Sequence, residues 1–399
     1  MKKSSRKDKL TFPFILLVTF FCMYAKRSWF KIGAGNISTI VLTYKDGFKA
    51  SGLIGTLYRL VNHILPIDMM SYEPYYFFNK YMCFVYLILA GLLLTLIYKR
   101  VDETNRDVAI DYLILAIIVF GGMFVTGDTM GSYDMYMMIV ALISMMLIFS
   151  GKLEWLVCIL NIIGVLINPS YVFKIMPLIL ICWTYRWRVK GQDVYKKYIF
   201  VSMVLSALFW LASEASLLRL SQVYDQALEM GYKLSANPEN YDVVFAARTL
   251  REASSILPEW SFHGNNYIDL LVLLLVASPY LLIGRHAFTD LINCVRNQEN
   301  YKVYRLIQLG AVFILPEFIL KIKYGYLVYE VVIYYLLILL FLIVERDELV
   351  LGQMRNVRTR VREKVPASAL LLVYPLLFMP FSDVAIMNGL DVIARFFGA

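Results

Sequence analysis

Three carboxylates in this chain stand where a charge is hard to keep. Asp134 closes the turn TGDTMGSYD and precedes a continuous apolar run, Glu317 lies in LPEFILK beside Pro316, and Asp46 sits in YKDGF just before an amphipathic stretch. Setting an ionisable group into an apolar segment costs about 2.5–3.5 kcal/mol on membrane-insertion scales, so such a group is a functional candidate by default. The chemistry open to a carboxylate held beside a cleft is general-base catalysis, the removal of a proton from a hydroxyl as that hydroxyl attacks. Asp46, Asp134 and Glu317 are the candidates for this role. Each has a plainer reading: Asp46 as a turn or cap residue, Glu317 as the i, i+4 ion-pair partner of Lys321, and Asp134 as a boundary charge.

Cations fall near the same segments. Lys174 follows the break INPSY, Lys321 lies one turn beyond Glu317, and Arg59 occupies the polar side of the amphipathic stretch. Arg248, Arg251 and His263 belong to a later polar segment that also carries Trp260. A guanidinium fork suits phosphate or pyrophosphate oxygens, so Arg59, Lys174, Arg248, Arg251, His263 and Lys321 are the candidate substrate-binding residues. Lys80, Lys323 and Glu330 lie near the ends of apolar runs and read as charges that reach back to the interface.

Absent motifs narrow the chemistry. No phosphate-binding glycine loop, HExxH, CxxC or selectivity-filter sequence occurs, and three histidines are too few for a His-rich metal centre. No cofactor is expected, and a divalent metal bound by the carboxylates stays open.

The elements that must position these residues are membrane spans. The chain is 60% hydrophobic and 17% charged over 399 residues, where soluble domains are near half apolar and a quarter charged. Apolar runs of span length lie at 10–28, 76–98, 111–127, 134–150, 154–169, 171–186, 198–214, 267–284, 306–321, 326–345 and 367–383. The fold expected is all-α: a polytopic integral membrane protein with about eleven transmembrane helices in one transmembrane domain over 1–399. The net charge of +9 could suggest nucleic acid, but 24 of the 39 Lys and Arg fall in the N-terminal segment and the short connections that share its side. That is the positive-inside bias; it excludes a nucleic-acid partner and orients the chain N-in and C-out. Two segments then lie outside. The first, 29–75, carries the amphipathic helix, with Leu53, Leu57, Leu60, Val61 and Ile64 on one side, at the membrane interface. The second, 213–266, forms a small helical extracytoplasmic cap.

This layout resembles the integral-membrane glycosyltransferases of the GT-C type, and equally the Wzy-type polymerases of O-antigen and capsule assembly, including the EpsG-like group. The local words that carry the likeness are DGFKASGLIG, INPSYVFKIMPL and GSYDMYMM. The resemblance implies an enzyme of the bacterial inner membrane that transfers or polymerises undecaprenyl-type lipid-linked oligosaccharide on the extracytoplasmic face. Membrane lipid, the lipid-linked sugar and other polysaccharide-assembly proteins are its implied partners. Asp46 matches the first-loop carboxylate of the GT-C pattern, and Arg248 or Arg251 the outer-loop arginines of the polymerase pattern. The sequence has one acidic residue where many GT-C enzymes have two. The competing class is a transporter or flippase for a lipid-linked or anionic substrate, which would need its charges near the membrane midplane, reachable from both sides.

Overall fold

The computed structural model describes residues 38–45, 48, 51–65, 72–123, 131–214, 225, 289–296, 299–315 and 324–364, and among them all regular structure is helical. The elements are α1 (Ser38–Val41), α2 (Leu53–Ile64), α3 (Tyr72–Arg100), α4 (Arg106–Met123), α5 (Tyr133–Ser150), α6 (Leu156–Ile167), α7 (Tyr171–Lys174), α8 (Met176–Arg188), α9 (Val194–Glu214), α10 (Tyr301–Leu309), α11 (Tyr324–Val344) and α12 (Glu348–Lys364). Among the described residues, three stretches are long and apolar enough to cross a membrane: Glu73–Arg100, Tyr133–Ser150 and Val194–Ala212. Leu156–Ile167 and Glu330–Val344 are shorter apolar helices.

Local chemistry sets where the helices stop. Ser132 caps α5 by accepting the Met135 N–H on Oγ, and Gly151 ends it in the left-handed conformation at φ +68°, returning its N–H to Leu147 and Ile148. The apolar run 171–186 is not one helix. Pro177 has no N–H to give to Phe173, so the ladder breaks at Ile175 and α7 and α8 form on either side. The run 306–321 is also divided, with α10 giving way to a 3₁₀ turn at Gly310–Ile314. There α11 comes so close that a Cβ on Gly310 would lie 1.6 Å from Tyr334 Oη.

The helices pack in neighbouring pairs: α3 against α4 and α5, α11 against α4, α6 against α5 and α9, and α8 against α9. The buried apolar face of α5, from Met135 to Phe149, runs through the centre of this core. Its apolar residues lie on every side because the helix is covered nearly all round, as expected for a helix inside a bundle. Polar side chains in the core are tied locally. Tyr86 donates to the Phe120 carbonyl at 3.1 Å across α3 and α4, and Asn161 on α6 donates to Ser202 on α9 at 3.1 Å.

The amphipathic helix expected in the first loop is α2. It seats Ile54 and Tyr58 in the core and leaves Leu57, Leu60 and Ile64 exposed. Gly55 permits its close seating, since a Cβ there would stand 2.1 Å from the Leu42 carbonyl oxygen. The expected spans at 10–28, 267–284 and 367–383, and the cap at 213–266 apart from its first two residues and Asp225, lie outside the described residues.

Candidate functional site

Asp134, Lys174 and Glu330 come from three distant parts of the chain and meet in one ion-paired group. Lys174 Nζ lies 2.8 Å from Asp134 Oδ1 and 2.9 Å from Glu330 Oε1. Asp134 is the second residue of α5, where the exposed N–H groups of the first turn favour a negative charge. Lys174 ends α7, immediately before the break made by Pro177, so the break aims the side chain at α5 instead of along α8. Glu330 is on α11, nearly two turns from its start.

Scaffolding around the group is polar and specific. The turn that delivers Asp134 is fixed by Thr39, which donates from Oγ1 to the Gly131 carbonyl at 3.0 Å. Gly131 itself has φ +80°, and a Cβ there would sit 2.7 Å from Asn79 Oδ1, so only glycine fits both the conformation and the space. Asn79 accepts from Tyr136 Oη at 2.7 Å and donates to the Tyr75 carbonyl at 3.0 Å. On the lysine side, Tyr171 donates to Asn161 Oδ1 at 3.2 Å, and its ring fills the space left by Gly164.

Exposure differs sharply within the group. The side chain of Lys174 is 1% exposed and that of Glu330 6%, whereas Asp134 is 22% exposed. Asp134 is the most exposed member of the three. A partly open carboxylate of this kind can accept a proton.

A second buried network lies at the opposite end of the same segments, about 25 Å away by the rise of α5. Arg186 on α8 uses all five of its N–H donors. Nε and Nη2 reach Glu345 Oε1 at 2.8 and 2.6 Å, Nη1 reaches Glu154 Oε1 at 2.6 Å and Tyr195 Oη at 3.2 Å, and Nη2 also reaches the Ile148 carbonyl at 2.9 Å. Its guanidinium packs over the rings of Tyr195 and Phe341. Beside it Asp347 accepts from Tyr185 Oη at 2.6 Å, Tyr304 Oη at 2.5 Å and the Val350 N–H at 3.0 Å, which caps α12. Every donor of the arginine is engaged in holding the protein together.

The structure thus joins Asp134 to Lys174 and adds Glu330, which the sequence presents as a boundary charge. The overlooked signal is YGYLVY before Glu330: α11 begins at Tyr324, so the carboxylate falls inside the helix and is buried. Arg59 is on α2 and is not in this ion-paired group. Asp46, Glu317, Lys321, Arg248, Arg251 and His263 lie outside the described residues. Among the described residues, no cluster of three or more His, Cys, Asp or Glu is placed to hold a metal ion. Comparison with family models, curated proteins and solved structures finds no match for the chain.

Proposed function

We propose that this chain is a multi-pass enzyme of the bacterial inner membrane that transfers or polymerises lipid-linked oligosaccharide on the extracytoplasmic face. In this reading it has about eleven spans with the N-terminus inside, and Asp134 is the general base. The observation that carries it is the one-ended placement of the open group: Lys174, Asp134 and Glu330 meet within two turns of a helix start, with Asp134 the exposed member. An outer-face enzyme needs its charges at one end of the bundle; alternating access needs them near the middle. In the step envisaged, an acceptor hydroxyl oxygen attacks the anomeric carbon and its proton passes to Asp134. The bond from that carbon to the lipid diphosphate breaks, and the diphosphate departs with the electron pair. Lys174, held from behind by Glu330, fixes the Asp134 carboxylate in position.

The transporter or flippase reading gains support from one observation, the presence of buried charge networks at both ends of the same segments. It is the weaker reading because the Arg186 network is saturated. Opening it would strand the buried carboxylate of Glu154 and the partly buried one of Glu345, and breaking one buried pair costs about 3–5 kcal/mol.

The test is surface polysaccharide chain length in cells carrying Asp134→Asn, Asp46→Asn or Glu317→Gln, with protein abundance measured in the membrane fraction. Asp134→Asn should lower transfer roughly a hundred- to ten-thousandfold at unchanged abundance. Unaltered polymer with all three variants would refute the assignment.

A further inference from the structure

The junction of α8 and α9 carries positive charge that the fold leaves open. Arg188, Lys196 and Lys197 are exposed, and among the described residues none of the three is paired with a carboxylate. Other surface cations are engaged: Arg346, Arg358 and Arg360 each meet an aspartate, and Lys190 gives its ammonium to the Glu345 carbonyl at 2.7 Å. Trp187 gathers two of the three open charges, with the Arg188 guanidinium carbon 3.8 Å and the Lys196 ammonium 5.9 Å from its ring centroid. Each is attracted to the ring, but the two cations repel one another, and an anion set between them would relieve that repulsion.

The helix that follows indicates which anion. Among the three described helices of span length, α9 is the most open: 17% of its apolar stretch is buried, against 50% and 67% for the other two. At 100° per residue, Lys197 shares one side of α9 with Val201, Val204, Leu208 and Leu211, all of them exposed, while the buried Ser202 and Ser206 lie opposite. Helical side chains tilt toward the N-terminus, so Lys197 leans away from the apolar stripe, toward the end where α8 stops. The stripe from Val201 to Leu211 is about 15 Å long by helical rise, half of a hydrocarbon core of about 30 Å. Cations and a tryptophan at the head of a stripe one leaflet long match the layout of a phospholipid, charged at the headgroup and apolar below.

We propose that this edge is a binding surface for anionic phospholipid, with the lipid phosphate among Arg188, Lys196 and Lys197 and an acyl chain along the exposed stripe of α9. A lipid of net negative charge is selected, because the ammonium of a zwitterionic headgroup would face the same three cations. The surface is independent of the reaction proposed above, and an inactive Asp134→Asn protein would bind the lipid unchanged.

The full-length protein, delipidated in neutral detergent, would be titrated with phosphatidylglycerol and, separately, phosphatidylcholine, with bound lipid counted by native mass spectrometry. Each cation near an anionic lipid contributes roughly fivefold in affinity, so wild type should hold phosphatidylglycerol about a hundredfold more tightly than phosphatidylcholine. Lys197→Gln should lose about fivefold of that preference, and the triple variant Arg188→Gln, Lys196→Gln, Lys197→Gln should bind both lipids alike. Leu208→Ser should weaken both lipids equally, since it touches only the apolar stripe. Without lipid, the triple variant should melt with wild type, because none of the three cations is tied to a carboxylate. Equal affinity for the two lipids in wild type, an unchanged preference in the triple variant, or a lipid-free triple variant that melts well below wild type would overturn the surface. Heparin bound as tightly as phosphatidylglycerol would overturn a membrane lipid as its partner.

Discussion

Arg186→Gln should be among the most damaging single substitutions in the protein, and the structure gives the size. The arginine supplies five hydrogen bonds to Glu154, Glu345, Tyr195 and the Ile148 carbonyl, all at 3.2 Å or less. Removing one partner of a buried ion pair costs about 3–5 kcal/mol, chiefly because the other charge stays buried and unmatched. Here two carboxylates lose the same cation, so the loss should be at the upper end, about 5 kcal/mol, against a typical total stability of 5–15 kcal/mol. At about 2 °C per kcal/mol, the small shift expected of a large chain, the melting temperature in detergent should drop by roughly 10 °C. Arg186→Lys should recover part of this, since it restores charge but not the five-donor fork. The triple variant Arg186→Met, Glu154→Gln, Glu345→Gln should be more stable than Arg186→Gln alone, because it strands no charge. A single variant within about 1 kcal/mol of wild type, or a triple variant no better than the single, would refute the account of this network as a saturated structural tie.

Other expectations follow from particular contacts. Asp134→Asn should abolish most transfer while moving the melting temperature little, since Lys174 keeps Glu330 as its partner at 2.9 Å; Glu330→Gln should cost stability as well as activity, and parallel melting and transfer assays separate the two. Gly310→Ala would drive a methyl to within 1.6 Å of Tyr334 Oη, and overpacking of this kind costs about 1–3 kcal/mol. Tyr334→Phe in the same chain should recover only part of it, because Ile181 Cδ1 would still stand 2.6 Å away. Tyr185→Phe and Tyr304→Phe each remove one donor from buried Asp347, at about 1.5–3 kcal/mol apiece; denaturant titration should show the double variant losing more than either single one.

The helical class, the amphipathic helix and the positions of six apolar helices, three of them long enough to cross a membrane, could be read from the chain because they depend on local properties: apolar length and period. The described helices overlap the expected runs at 76–98, 111–127, 134–150, 154–169, 198–214 and 326–345. What could not be read was long-range. Nothing near Lys174 in sequence announces that Asp134 and Glu330 will meet it, 40 residues before and 156 after. Glu330 was misjudged because a carboxylate near the start of the run 326–345 reads as a boundary charge, whereas its burial comes from the distant Lys174 that pairs with it. Arg186 was passed over for a related reason: it sits in the basic stretch RWRVKGQDVYKK, where a charge normally marks a cytoplasmic loop, and only the fold shows that α8 extends through it. The two-part character of 171–186 was legible in principle from Pro177, but the direction in which the break turns Lys174 was not.

The two charge networks show why burial alone does not identify a working site. Both consist of one cation between two carboxylates: the Lys174 group joins α5, α7 and α11, and the Arg186 group joins α8 to Glu154 before α6, Glu345 just after α11, Tyr195 of α9 and the Ile148 carbonyl of α5. At the Arg186 end the guanidinium has no donor left to offer, and the neighbouring carboxylate of Asp347 is closed by two phenols and a helix N-terminus. Any incoming group there would first have to break a bond already made. At the Lys174 end the inner pair with Glu330 is sealed while Asp134 is partly open, so a substrate can approach one member without dismantling the rest. Glu345 at the Arg186 end is 16% exposed against 22% for Asp134, so the two ends differ chiefly in that every N–H of the arginine is already engaged. Ties at both ends of α5 also make it a poor choice for a part that moves against α8 and α11, which favours a site fixed at one end of the helices.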